Sequence, residues 1–316
     1  MPSASARMAA ALTNTDAPTT AYLTDASLNA LSGLRGASGK LRAEIREPGA
    51  AIASDSSAPP LTVAESEASG SSVAPKAGIW KVAASIGNAI RPIADFNLIS
   101  IRPRSDKQNG RVGLYYLGSW PGETGGGVKA PAKAPAERYR PPSGFIEVTQ
   151  ENADTKISEH FKLRDFLTHD QPNVWPKYVV IELRNVDKLE LVLTDLQQHG
   201  INVDGVRVLS GFRTPQYNRG GGDPSGRAGL SRHMYGDAAD IFIDNDHNGA
   251  MDDLNHDGRI DINDSRVILA AVDRVEAAHP ELIGGAGVYP AESGHGPFIH
   301  IDSRGYHARW IGSGGG

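Results

Sequence analysis

There is no cysteine among the 316 residues. That excludes a disulfide framework and any thiolate-held metal, so a zinc ion would have to be bound by His, Asp or Glu. Aromatic residues are scarce at 6%, and hydrophobic residues reach only 39%. So little apolar material implies that part of the chain lacks a core. No run of about 18 apolar residues occurs, which rules out a membrane-spanning helix. An excess of basic charge is missing too: the formal net charge of −5 argues against a nucleic-acid partner. The opening residues, MPSASARMAAALTNTDA, hold one arginine and a short Ala/Met/Leu patch, less apolar length than a secretory signal uses.

Residues 1–78 are rich in Ala, Ser, Thr and Pro and are expected to be largely disordered. Within 79–121, the strand-like FNLISIRP and GRVGLYYLGSW flank RSDKQN and suggest a hairpin that needs further packing. Residues 122–144 read as a Pro/Gly linker, and 145–316 as the globular domain. In that domain ISEHFKLRDFL suggests a short helix or turn. Val186, Leu189, Leu193 and Leu196 mark a helix within 177–199, stopped at Gly200. VRVLSGF, DAADIFI, GGAGVYP and PFIHIDSR read as strands, and RVILAAVDRVEAAH as a second helix closed by Pro280. The order predicts an α+β domain, a small and mainly antiparallel sheet flanked by helices.

Side chains alternate along a strand. In DAADIFID, Asp240, Phe242 and Asp244 share one face, and Ala239, Ile241 and Ile243 the other. In PFIHIDSR, Phe298, His300 and Asp302 oppose Ile299 and Ile301. Two strands thus each join an apolar face to a face with a candidate ligand. His233, Asp240 and His300 plus a water would make an open zinc site. A His-x6-Asp pair by itself carries little weight; its conjunction with the surrounding motifs carries more.

SRHMYGDAAD resembles the Ser-x-His-x-x-Gly-x-Ala-x-Asp signature of the zinc D-alanyl-D-alanine carboxypeptidase family of peptidoglycan metallopeptidases, whose fold the Hedgehog signalling domain shares. FIHID resembles the family's second signature, and SGFRTPQYN its upstream Ser-Gly-Tyr/Phe-Arg-Thr/Ser segment. The resemblance covers roughly residues 155–312, with the motifs in family order. It implies His233, Asp240 and His300 as zinc ligands and Arg213 as the arginine holding a substrate carboxylate. A guanidinium suits that role through its planar fork, although a structural ion pair is the alternative. Ser231 would hydrogen-bond near the ligands or shape the loop, and Tyr289 would reach the site or only pack.

Hydrolysis also requires a proton acceptor. Where many family members place Glu or His, three residues before the last zinc histidine, this chain has Pro297. The replacements are His295, in the glycine-flanked SGHGP, and Asp302, which would act as the base or orient a ligand.

A second acidic run follows the first. In DLNHDGRIDIND, Asp253, Asn255, Asp257, Arg259 (through its carbonyl), Asp261 and Asp264 occupy the ligand positions of an EF-hand-type calcium loop, with Gly258 at the turn and Ile260 as anchor. The overlapping DNDHNGAMDDLN supplies Asp244, Asp246, Asn248, Gly249 and Asp252 but ends on the neutral Asn255. The tandem, an insertion spanning 244–264, resembles dockerin-type repeats; a polar surface loop is the alternative. Asp240 and Asp244 are roughly 13 Å apart along an extended strand, so they serve different ions. RGGG at 219–222 lacks the Gly-Lys-Ser/Thr of a phosphate loop.

These features predict a zinc peptidase acting on D-alanyl-type or related bonds of peptidoglycan peptides, in the periplasm or outside the cell, where calcium is plentiful. The rivals are a non-catalytic cell-wall-binding module of the same fold and a calcium-dependent structural or adhesive protein in which the zinc residues are incidental.

Overall fold

The computed structural model describes residues 9–12, 41–46, 77–86, 89–123, 136–221, 227–292 and 295–312. The chain is α+β and forms two compact units, Met1–Arg102 with Asp154–Glu159, and Pro103–Ala153 with His160–Gly316. Among the described residues no helix is long and apolar enough to cross a membrane.

The first unit holds a four-stranded sheet of β1 (Ala9–Leu12), β2 (Leu41–Arg46), β3 (Gly78–Ile86) and β4 (Ala89–Ser100), in the order β1-β4-β3-β2. Two of these strands lie within 1–78; the rest of the disorder expected there, up to residue 76, falls outside the described residues. The expected pairing of FNLISIRP with GRVGLYYLGSW needs correction. Its first part belongs to β4, which pairs antiparallel with β3. After the two-residue β5 (Arg102–Pro103), GRVGLYYLGSW closes on itself, with β6 (Arg111–Val112) against β7 (Tyr115–Tyr116). Asn109 and Gly110, both at positive φ, end the preceding turn, and Gly113 supplies a further positive φ between the strands. Of the expected linker, 124–135 lie outside the described residues, Ala136–Tyr139 form a 3₁₀ turn, and Gly144 opens β8 (Gly144–Val148).

In the second unit β8 pairs antiparallel with β9 (Lys177–Val179), so the start of the predicted first helix is a strand. Helix α1 spans Leu183–Gln198 and buries the predicted stripe of Val186, Leu189, Leu193 and Leu196, and Val192 beside it. A short helix α2 (Pro215–Gly220) starts with Thr214 accepting from the Tyr217 amide and Pro at its first turn. Helix α3 (Ile262–Ala278) starts four residues before the predicted segment because Asp261 and Asp264 form a capping box, each side chain accepting a backbone N–H of the other's turn. ISEHFKLRDFL holds only the 3₁₀ turn Leu163–Phe166.

The main sheet contains β10 (Val206–Ser210), β11 (Ala238–Ile243), β12 (Gly285–Tyr289), β13 (Phe298–Asp302) and β14 (Ala308–Ile311). Its order is β10-β11-β13-β12-β14, antiparallel except for β12 with β14. Ala239, Ile241, Ile243, Ala286, Val288, Ile299 and Ile301 are all buried and form the apolar side of the sheet, while α3 packs against β12, β13 and α1. The alternation leaves Asp240 and His300 on the opposite side, directly across from one another in the β11–β13 register.

Candidate metal centre

Each of the three predicted ligands comes from a different element. His233 sits in the 3₁₀ turn Arg232–Tyr235, which ends at Gly236 with φ +74°. A Cβ at Gly236 would lie 2.4 Å from the Val180 carbonyl oxygen, so both conformation and space require glycine there. Asp240 belongs to β11 and His300 to β13. All three are buried. His233 Nε2, Asp240 Oδ1 and His300 Nδ1 form a triangle with sides of 3.2, 2.8 and 3.1 Å. Ligand atoms about 2.0–2.2 Å from a tetrahedral zinc would be about 3.4 Å apart, so little movement separates this triangle from a metal-bound geometry.

The outer side of each ligand is fixed. His233 Nδ1 donates to the Gly211 carbonyl at 2.6 Å, which leaves Nε2 as the lone-pair nitrogen in the neutral ring. His300 Nε2 donates to Asp302 Oδ2 at 3.0 Å, which turns the lone pair of Nδ1 inward. Asp240 Oδ2 accepts from Arg213 Nη2 at 2.6 Å, leaving Oδ1 for the triangle. Three acceptor atoms this close require a positive centre among them, a proton or a metal ion. The electrostatics agree. Burial, then the charge of Arg213, pushes His233 down to about 4, so it is neutral near pH 7. Burial would raise the Asp240 carboxyl, but His233 and Arg213 outweigh it and hold it well below the usual carboxylate range. Burial also opposes charge on His300, yet its bonds to Asp240 and Asp302 raise it.

A bulge between Val208 and Ser210 brings Ser210 opposite Asp240. Ser210 Oγ then accepts from Arg213 Nε at 2.8 Å. Arg213 therefore bonds to a ligand carboxylate, although it also lines the open cleft of about 670 Å³ above the triangle. Ser231 lines the same cleft, and its side chain makes no capping bond to the turn it precedes. Tyr289 lies in the cleft wall, stacked on Phe298 with centroids 4.5 Å apart and accepting from Trp310 Nε1 at 3.0 Å.

His295 also lines the cleft, edge-on to Phe298. Its Nδ1 donates to the Gly296 carbonyl at 2.8 Å, so in the neutral ring Nε2 is the basic nitrogen. Asp302, by contrast, is fully buried and saturated. Its oxygens accept from the backbone N–H groups of Gly285 and Arg304, from the Arg304 guanidinium and from His300. Of the two roles open to Asp302, the geometry fits the orienting one.

Sequence reasoning passed over Arg304, Arg232 and Arg227, which line the cleft, and Asp237, which pairs with Arg232 in a buried ion pair. Arg304, two residues beyond Asp302 at the end of the same strand, was the one with a local signal.

The acidic insertion forms two similar turns nine residues apart. Asp244 accepts from the amides of Asn248 and Gly249, and Asp253 likewise from Asp257 and Gly258. His247 and His256, and Gly249 and Gly258, all have positive φ. In the first turn, carboxylate oxygens of Asp244, Asp246 and Asp252 lie within 4.8 Å of one another. Among the described residues the second turn gathers no such trio, although its spacing fits the calcium loop more fully. There Asn255 Oδ1 accepts from the Asp257 amide, Asp257 Oδ1 accepts from Arg259 N, and Asp264 accepts from Leu254, Asn255 and Asp261.

Comparison of the chain with family models, curated proteins and solved structures gives no match.

Proposed function

We propose that the second unit is a zinc-dependent peptidase cutting D-alanyl-type or related bonds in peptidoglycan peptides, in the periplasm or outside the cell. The observation that carries this reading is the convergence of His233 Nε2, Asp240 Oδ1 and His300 Nδ1 in an open cleft, each with its outer side already held. The donor set, two imidazoles and a carboxylate, suits zinc in a catalytic site. The substrate class rests on the resemblance of SRHMYGDAAD, FIHID and SGFRTPQYN to the D-alanyl-D-alanine carboxypeptidase signatures, and so does a Hedgehog-like fold.

When bound, zinc polarises a carbonyl and lowers the pKa of a water to about 7. The chain's own groups do the rest. Asp302 keeps the Nδ1 lone pair of His300 turned inward, and Arg213 keeps Asp240 Oδ1 free by occupying Oδ2. His295 accepts a proton from the attacking water at Nε2 and returns it to the leaving amine. Ser231, in the cleft wall, offers its hydroxyl to the substrate backbone. Tyr289, Phe298 and Trp310 form an aromatic wall that limits water.

Calcium in the acidic insertion completes the reading. The turn begins at Asp244, immediately after β11, so an ion there would brace the strand that carries Asp240.

The test is metal analysis of the native protein followed by mass spectrometry of peptidoglycan fragments incubated with wild type and His233→Ala. One zinc per chain and products found only with wild type are expected. Absence of stoichiometric zinc, or identical product profiles, overturns the proposal; specific binding without cleavage would instead indicate a cell-wall-binding module.

A further inference from the structure

Trp120 lies upstream of the stretch 155–312 that resembles the carboxypeptidase signatures, yet it is fully buried and reaches the turn that carries His233. Its Nε1 donates to the Met234 carbonyl at 2.7 Å. Its ring stacks on Phe145 and Phe212, with centroids 5.8 and 6.4 Å away. Phe212 lies between Gly211, whose carbonyl accepts from His233 Nδ1, and Arg213, which bonds Asp240. One side chain thus touches both segments that hold the triangle: it packs on 211–213 and bonds the turn Arg232–Tyr235.

Local chemistry explains why the indole sits there. Gly118, at φ +79°, turns the chain after β7, and a Cβ there would meet the Gln216 amide nitrogen at 3.0 Å. The Leu117 carbonyl accepts from that same amide at 3.1 Å, which ties the segment to the start of α2. Glu123 accepts from the Trp120 amide at 2.8 Å and pairs with Lys107, whose ammonium lies 4.7 Å from the centroid of the indole. An indole N–H can only donate, and when buried it needs an acceptor. The acceptor here is one residue past His233. On the same turn the His233 carbonyl accepts from Arg213 N at 3.2 Å and the Gly236 carbonyl from Glu182 N at 2.9 Å, so Trp120 holds the middle of the turn between two main-chain bonds.

We infer that Trp120 is a positioning residue of the metal centre: by tying the Met234 carbonyl to the Phe212 segment, it holds His233 Nε2 in the triangle. Its effect on metal rests on the zinc reading above; the pinning of the turn rests on the Trp120 contacts alone. The segment 103–123 is then part of the site, not a hairpin packed beside it.

The experiment compares full-chain wild type, Trp120→Phe and, as a control, Val192→Ala, a buried position of α1 on the helix that packs with α3. Phenylalanine keeps a ring in the stack and deletes the N–H. A second variant carrying benzothienylalanine at position 120, the indole isostere with sulfur in place of N–H, keeps the packing whole and reads the bond even where Trp120→Phe folds poorly. Two quantities are measured: zinc affinity by chelator competition, and, in the zinc-free chain labelled with nitrogen-15 histidine, the exchange rate of the His233 Nδ1–H, assigned with His233→Ala. Both Trp120 variants are expected to lose about tenfold in zinc affinity, the lower end for a partner that orients a ligand from outside. Both should also exchange the His233 ring proton about tenfold faster, because the turn opens more often. Val192→Ala should lower Tm and leave both quantities unchanged. Wild-type exchange or wild-type zinc affinity in the Trp120 variants, or equal losses in Val192→Ala, overturns the inference and leaves the peptidase reading standing. A wild type that binds no zinc removes the peptidase reading, and the exchange rates alone then decide the role of Trp120.

Discussion

Replacing Asp302 by asparagine isolates the orienting role from the shape of the site. The side chain is fully buried, and its two oxygens accept from two backbone amides, the Arg304 guanidinium and His300 Nε2. Asparagine can keep one oxygen for the amides. Its NH2 then takes the place of Oδ2 and faces two donors, His300 Nε2–H and Arg304. His300 can relieve its clash only by moving its proton to Nδ1, the atom proposed to bind metal. Loss of a partner that orients a metal histidine costs about 10–100-fold in affinity. Arg304 meanwhile loses its counter-charge. Breaking a buried pair costs about 3–5 kcal/mol, and the lower end applies because Arg304 retains access to solvent. For a unit of this size about 3 kcal/mol corresponds to a fall of about 6–12 °C in Tm. The assays are chelator-competition titration of zinc and calorimetric melting of the metal-free protein. Wild-type zinc affinity in a folded Asp302→Asn protein would refute the orienting argument, whatever happens to Tm.

Three further outcomes are expected. Lys188→Met removes a buried ammonium that bonds Glu276 at 2.6 Å and the main-chain oxygen of Asp302 at 2.7 Å; stability should fall by about 3 kcal/mol in urea melts with zinc affinity unchanged, since Glu276 keeps Arg309. Tyr235 carries a buried hydroxyl with no partner among the described residues, and burial pushes it up to about 12. An acid raised by folding contributes fully below the unfolded value near 10 and loses that contribution as pH rises toward 12, so Tyr235→Phe should gain about 1 kcal/mol at pH 7 and lose less stability than wild type between pH 10 and 12 in denaturant melts. Calcium at about 100 times its Kd should stabilise the metal-stripped chain by about 2.7 kcal/mol, and Asp244→Ala should abolish that gain; melting indifferent to calcium removes the bracing role.

The α+β class and most elements of the second unit were readable because their signals are local. Alternation in DAADIFI and FIHID placed Asp240 and His300 on the polar side of their strands, and the sheet register sets them opposite each other. Pairing of FNLISIRP was not readable, because strands of similar composition compete as partners and a long-range contact decides among them. The tight β6–β7 turn won locally, with a positive-φ glycine between its strands. The start of α3 was misplaced because the capping box lies inside the acidic run, where Asp261 and Asp264 also read as calcium ligands. One pair of residues carried two signals, and only the structure shows the cap.

Arg213 shows how the same residue type at the same motif position can be read two ways. A bidentate grip on a substrate carboxylate needs two adjacent nitrogens of the fork. Both available edges include Nη2, which holds Asp240, and one also includes Nε, which holds Ser210. Releasing Nη2 would leave the buried Asp240 Oδ2 without its charge partner at the moment Oδ1 is needed for the metal. A divalent ion on Oδ1 would draw charge from that carboxylate and weaken its hold on Arg213, so the two roles are sequential rather than exclusive. The distinction is measurable. If Arg213 serves mainly to fix Asp240, Arg213→Ala should lower zinc affinity in the absence of any peptide. If it serves mainly the substrate, zinc affinity should stay and only the binding of a peptide with a free carboxylate should fall. The bond from Nη2 to Asp240 Oδ2 at 2.6 Å favours the first outcome.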